Sequence, residues 1–137
     1  MSRVRRSSPH RFVYCPFLPV RLFNPSTSQS WNFQALIDTG ADRCIFPEWV
    51  AGKLGHVLEK GQDSIITDIR GQDTPAWIHL NRLTFQDPDG NRAEYQTGIL
   101  FTPHIARDIG VLGTRGFLDH FKLTIDHKNH IIILKEY

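Results

Sequence analysis

Apolar residues fall in short runs separated by turn-forming clusters, a pattern of strands and hairpins with little helix. Arg11 to Phe23 is rich in aromatic and branched residues, but Pro16 and Pro19 make it an edge strand or a broken one. The polar cluster Asn24 to Ser30 then turns the chain into an apolar run from Trp31 to Ile37. Ile45-Phe46 is apolar again, and Pro47 to Gly55 has the marks of a short helix, opened by Pro and Glu and closed by Gly. A second hairpin is predicted from Ser64–Ile69 and Thr74–Leu80 around Arg70-Gly71-Gln72-Asp73. A third joins Leu83–Phe85 to Ala93–Leu100 around Asp87-Pro88-Asp89-Gly90. Ile109 to Gly113 reads as a small strand, and Thr114 to Phe121 as one or two helical turns. The alternating Phe121 to Asp126, the polar turn His127 to His130 and the buried strand Ile131 to Leu134 complete a mostly β chain.

Composition places this pattern in one globular domain. A chain of 137 residues, 40% of them apolar with nine Phe and three Trp, has material for one core and little room for two. The net charge of +2 argues against nucleic acid or a membrane surface as partner for the domain as a whole. Arg3, Arg5, Arg6 and Arg11 crowd the start, so residues 1–10 read as a basic, flexible tail and residues 11–137 as the folded domain. The two cysteines, Cys15 and Cys44, form neither a metal spacing nor a disulfide framework. With no secretory or membrane-spanning run in view, the expected setting is a soluble, reducing compartment, the cytoplasm.

The candidate chemistry centres on Ala35-Leu36-Ile37-Asp38-Thr39-Gly40-Ala41. An Asp directly after an apolar strand stands at the mouth of a core. Gly40 permits a tight turn and close backbone approach, and the Thr39 hydroxyl can donate and accept locally. Such features hold a carboxylate rigidly. The same triplet also makes an ordinary Asx turn at a strand end, and chance supplies it in roughly a few per cent of chains this long. Far downstream, Val111-Leu112-Gly113 is followed by Thr114-Arg115-Gly116-Phe117-Leu118.

Together these two segments resemble the retropepsin-like aspartic proteases, the retroviral proteases and their single-domain relatives. The resemblance spans about Phe17 to Leu134. It implies an all-β fold, a closed barrel of acid-protease type with one short helix in the C-terminal region. It implies that Asp38 is catalytic, that Thr39, Gly40 and Ala41 support the loop, and that Gly40, Asp42, Ile69, Arg70 and Gly71 contact substrate. Ile69-Arg70-Gly71 falls where the family places its flap tip, although this tip is charged and holds a single Gly.

Hydrolysis by this route takes two carboxylates sharing one proton. One activates water and the other polarises the carbonyl. Asp73-Thr74-Pro75 lacks the Gly and Asp108-Ile109-Gly110 lacks the hydroxyl, so one chain supplies one carboxylate. The expectation is therefore a homodimeric aspartic endopeptidase acting on a peptide or protein substrate, with no cofactor and no metal. The terminal strand Ile131 to Leu134 reads either as interface or as core. Ala41 has no hydroxyl to donate to a carboxylate, which points to a mildly acidic working pH.

Other constellations are weaker. His120, His127 and His130 form a cluster with Asp126, but His127 and His130 sit in a turn where the two rings need not converge, and zinc needs three or four ligands. Cys44 reads as a small buried hydrophobe. The competing functional reading is a catalytically silent module that keeps the fold and binds extended peptides.

Overall fold

The computed structural model of the chain describes residues 4–8, 11–14, 17–67, 70–86, 92–103 and 108–137. The expectations for Cys15, Asp68, Ile69 and the turn Asp87 to Gly90 lie outside these residues. Two short strands come first, β1 (Val4–Ser8) and β2 (Arg11–Tyr14), paired antiparallel. The basic start thus contributes a strand, where composition alone suggested a tail.

β3 (Phe17–Asn24) alternates strictly: Leu18, Val20 and Leu22 point into the core while Phe17, Pro19 and Arg21 are exposed. It runs antiparallel to β4 (Gln29–Ile37), from Phe17 opposite Leu36 to Asn24 opposite Gln29. The predicted polar turn closes on Asn24, whose Oδ1 accepts from the Ser26 amide at 3.0 Å and whose Nδ2 donates to the Leu54 carbonyl at 2.8 Å. Pro19 stands before Arg21, where β3 gains its second neighbour, so the ring sits on a stretch of strand paired on one side.

β5 (Ile45–Pro47) leads directly into α1 (Glu48–Lys53), the predicted short helix, which buries Val50 and Ala51. β6 (Gln62–Thr67) and β7 (Asp73–Gln86) form the second hairpin, and β7 continues antiparallel to β8 (Arg92–Thr102) as the third. β7 is one unbroken strand of 14 residues, although Asn81-Arg82 separates its apolar runs. The polar break is absorbed because Asn81, fully buried, bonds to His56 Nε2 at 2.8 Å and donates to the His79 carbonyl at 3.1 Å.

β9 (Gly110–Leu112), β10 (Phe121–Asp126) and β11 (Ile131–Glu136) complete the chain. The short helix expected in the C-terminal region is smaller than anticipated: only Leu118–His120 make a 3₁₀ turn. The backbone passes through φ +87° at Gly116 and φ −138°, ψ −73° at Phe117, neither of them helical, which prevents a helix from starting at Thr114.

β3 pairs with β4 on one side and with β7 on the other, so the strands β3-β4-β9-β5-β8-β7 close into a six-stranded barrel. Closure removes free edges from the ring. β6 alone extends beyond it, paired to β7. Phe46, Phe101 and Phe117 are fully buried at the centre, each contributing about 1.5–3 kcal/mol of burial. A second sheet, β1-β2-β11-β10, packs Ile132 and Leu134 into the same core. β11 lies between β2 and β10; of its apolar residues Ile132 and Leu134 are buried while Ile131 and Ile133 are partly exposed. No helix among the described residues is long and apolar enough to cross a membrane.

Candidate active site

β4 and β9 run parallel, with Ala35 opposite Gly110, Leu36 opposite Val111 and Ile37 opposite Leu112. The next amide continues the ladder, the Asp38 N–H donating to the Leu112 carbonyl at 3.0 Å. The chain then turns sharply. The Gly40 N–H donates to Asp38 Oδ1 at 2.9 Å, and the Ala41 N–H to the Asp38 carbonyl at 3.2 Å. A charge-assisted bond from a backbone amide fixes the carboxylate against its own loop. Asp38 is half-buried, while Thr39 and Gly40 are exposed.

The downstream segment holds the loop from below. The Thr114 N–H donates to the Ala41 carbonyl at 2.9 Å and the Arg115 N–H to the Asp42 carbonyl at 2.8 Å. Arg43 and Arg115 form a parallel bridge beyond them. Between these contacts Gly113 passes so close that a Cβ there would stand 2.4 Å from the Arg43 carbonyl oxygen and 2.6 Å from that of Ala41. The two segments singled out in the sequence are thus one hydrogen-bonded unit.

A cavity of about 350 Å³ opens beside this loop. Gly40, Ala41, Asp42 and Arg43 form one wall, Ser64 to Thr67 of β6 the other, with Ile45, Leu100 and Arg115 between. Of the predicted site residues, Gly40, Ala41 and Asp42 line it, whereas Asp38 and Thr39 stand at the end of the loop outside its lining. Arg70 and Gly71 are exposed at the hairpin tip and also lie outside it. The tip is shaped by Gly71 at φ +81° and by Thr67 Oγ1 donating to Asp73 Oδ1 at 2.7 Å. A larger depression of about 480 Å³ on the barrel wall, around Arg21, Gln86 and Arg92, presents no carboxylate among its described lining residues.

Sequence reasoning missed Arg43, Ile45, Ser64 to Thr67, Leu100 and Arg115. The strand register held no signal for Arg43 and Arg115: continued from Ile37 beside Leu112 it would set Gly40 beside Arg115, and only the turn after Asp38 brings Arg43 there instead. Cys44 lies just inside the loop, fully buried, and burial pushes its thiol up to about 11 despite a bond with the Gly113 backbone. Among the described residues no group of three or more His, Cys, Asp or Glu side chains converges on a metal-sized site. His120 instead stacks on Tyr95 at a centroid separation of 4.0 Å, and His127 and His130 are exposed.

A closed six-stranded barrel whose parallel strand pair delivers an Asp-Thr-Gly loop is the acid-protease fold in its single-domain, retropepsin-like form. Among solved structures the chain is similar to a retropepsin-like aspartic protease from Rickettsia conorii, with a TM-score of 0.61 and 17% identity over 99% of this chain and 94% of that one. At that identity the likeness speaks for the fold. No protein-family model matches the sequence, and no curated protein does.

Proposed function

We propose that the chain is an aspartic-type peptidase that hydrolyses extended peptides as a symmetric homodimer, with Asp38 of each copy supplying one carboxylate of the pair. The observation that carries this reading is the coupling of Asp38 to β9: its amide bonds to Leu112, and Thr114 and Arg115 lock the loop that follows. The backbone therefore holds the carboxylate at the rim of the barrel, half-buried, beside exposed Thr39 and Gly40. A rim position suits a group that must meet its two-fold mate, because a carboxylate sunk in one copy's cavity could not reach another. With two copies apposed, one carboxylate would activate a water and the other, protonated, would polarise the scissile carbonyl. Thr39 would then contact the mate's loop. β6, paired on one side only, offers an extended peptide a strand edge across the cavity from the loop.

One observation favours a second reading. The cavity lining begins at Gly40 and leaves Asp38 out, as a silent module that grips extended peptides without cutting them would do. Asp38→Asn separates the two. For a peptidase it abolishes cleavage of a mixed peptide library and leaves the sedimentation coefficient of the dimer unchanged. Identical cleavage profiles for wild type and variant would remove Asp38 from the chemistry, and a strictly monomeric active species would remove the dimer.

A further inference from the structure

We infer that the cavity beside the Asp38 loop is an anion-selecting subsite, in which Arg43 and Arg115 receive an aspartate or glutamate side chain of an extended peptide. The inference rests on the proposed function only in laying such a peptide in this cleft.

Arg43 and Arg115 are bridged in parallel across adjacent backbone segments. Neighbouring strands stand only about 4.8 Å apart, and directly paired residues project from the same face. The two side chains therefore leave the backbone from neighbouring positions, and like charges so placed repel. Among the described residues neither arginine is held by a carboxylate: the ion pairs Arg82–Glu94, Arg92–Glu94 and Asp119–His120 all lie elsewhere. Both arginines line the same cavity. A like-charge couple that no carboxylate among the described residues holds is unfavourable in the empty protein and becomes favourable once an anion enters between the two.

The rest of the cavity fits a side chain better than a free ligand. Its volume of about 350 Å³ is at the small end of the roughly 300–1,000 Å³ range of ligand pockets. Ile45 and Leu100 supply apolar walls for a methylene stem, and Ser64 and Thr67 supply hydroxyls. Asp42 adds one opposing charge to the lining; it is exposed, as Arg115 is, so solvent screens both, while Arg43 is half-buried. Two guanidiniums against one carboxylate leave the lining net positive, and the guanidinium fork matches a carboxylate geometrically in a way that neutral amides do not.

The test is binding, so that it does not depend on cleavage. Fluorescence anisotropy with the Asp38→Asn protein at pH 6 compares labelled extended peptides that differ only by Glu or Gln at each position in turn. The expected result is a preference of about tenfold for Glu over Gln at one fixed position, shrinking as salt rises. Arg115→Gln, at an exposed position, and Arg43→Gln each reduce that ratio, and the pair together abolishes it. Equal affinities for the Glu and Gln peptides, binding of neither, or a ratio indifferent to both substitutions would overturn the inference. Cleavage by wild-type protein is scored separately: a Glu preference in binding without any cleavage sinks the peptidase and keeps the subsite, and cleavage without the preference does the reverse.

Discussion

Gly113 lies directly against the Arg43 carbonyl, with room for no side chain between them: a Cβ would stand 2.4 Å away. This contact joins the strand beneath the barrel rim to the loop that carries Asp38. Gly113→Ala must push the loop outward, because the obstructing atoms are backbone and cannot rotate aside. The expected loss is at least the ~1–3 kcal/mol typical of overpacking, read as a lower urea midpoint, together with weaker peptide binding. Gly52 is the internal control. It sits in α1, where an added Cβ would meet nothing within 4 Å, so Gly52→Ala is expected to stabilise by about 0.5–1 kcal/mol. If both substitutions have the same sign, close approach is not what selects glycine at 113.

His56 makes stability depend on pH. Burial holds its imidazole below the ordinary value of 6.5, with the Asn81 bond partly opposing and His79 adding to the effect. Asn81 Oδ1 accepts from Nε2, and Asn24 Nδ2 faces Nδ1 at 3.3 Å, an arrangement that suits the neutral ring. A second ring proton would confront the Asn24 amide. The folded state therefore binds this proton less readily than the unfolded chain does. The stabilisation is complete above pH 6.5 and is lost as pH falls through the lowered folded value. Thermal melts from pH 8 to pH 5 should show a falling Tm, and His56→Gln should lower Tm at pH 8 while flattening the fall. An unchanged slope in the variant would show that another group is responsible.

Cys44 should be chemically silent in the folded protein. It is fully buried and its thiol is pushed up to about 11 by burial, so almost no thiolate exists at neutral pH. In a Cys15→Ser background, a thiol-reactive disulfide reagent at pH 8 is expected to report no reaction until denaturant is added. Rapid native labelling would mean that the Asp38 loop opens far more readily than its hydrogen bonds to Thr114 and Arg115 imply.

The first two hairpins were legible because each rests on local chemistry: the Asn24 turn with strict alternation in β3, and the Gly71 turn between β6 and β7, can be read residue by residue. The same local reading divided β7 at Asn81, since a buried asparagine is indistinguishable from a turn residue until its partner His56 is known. It also lengthened the C-terminal helix, because the positive φ at Gly116 is set by packing. Arg43 and Arg115 escaped notice for a related reason. Each looks like a solvated charge on its own, and only their bridge makes them a pair.

Asp-Thr-Gly-Ala after an apolar strand, a downstream Val-Leu-Gly and a β-rich pattern are properties of the chain alone; they singled out Asp38, and the family resemblance they carry implied the barrel. Which residues face one another was decided only in three dimensions. Parallel pairing of β4 with β9 joins segments far apart in the chain, closes the barrel through β3 and β7, and sets the cavity between Gly40–Arg43 and β6. Contacts of that range come from backbone hydrogen bonds and core packing that no local pattern encodes, which is why the loop could be read from the sequence and the cleft beside it could not.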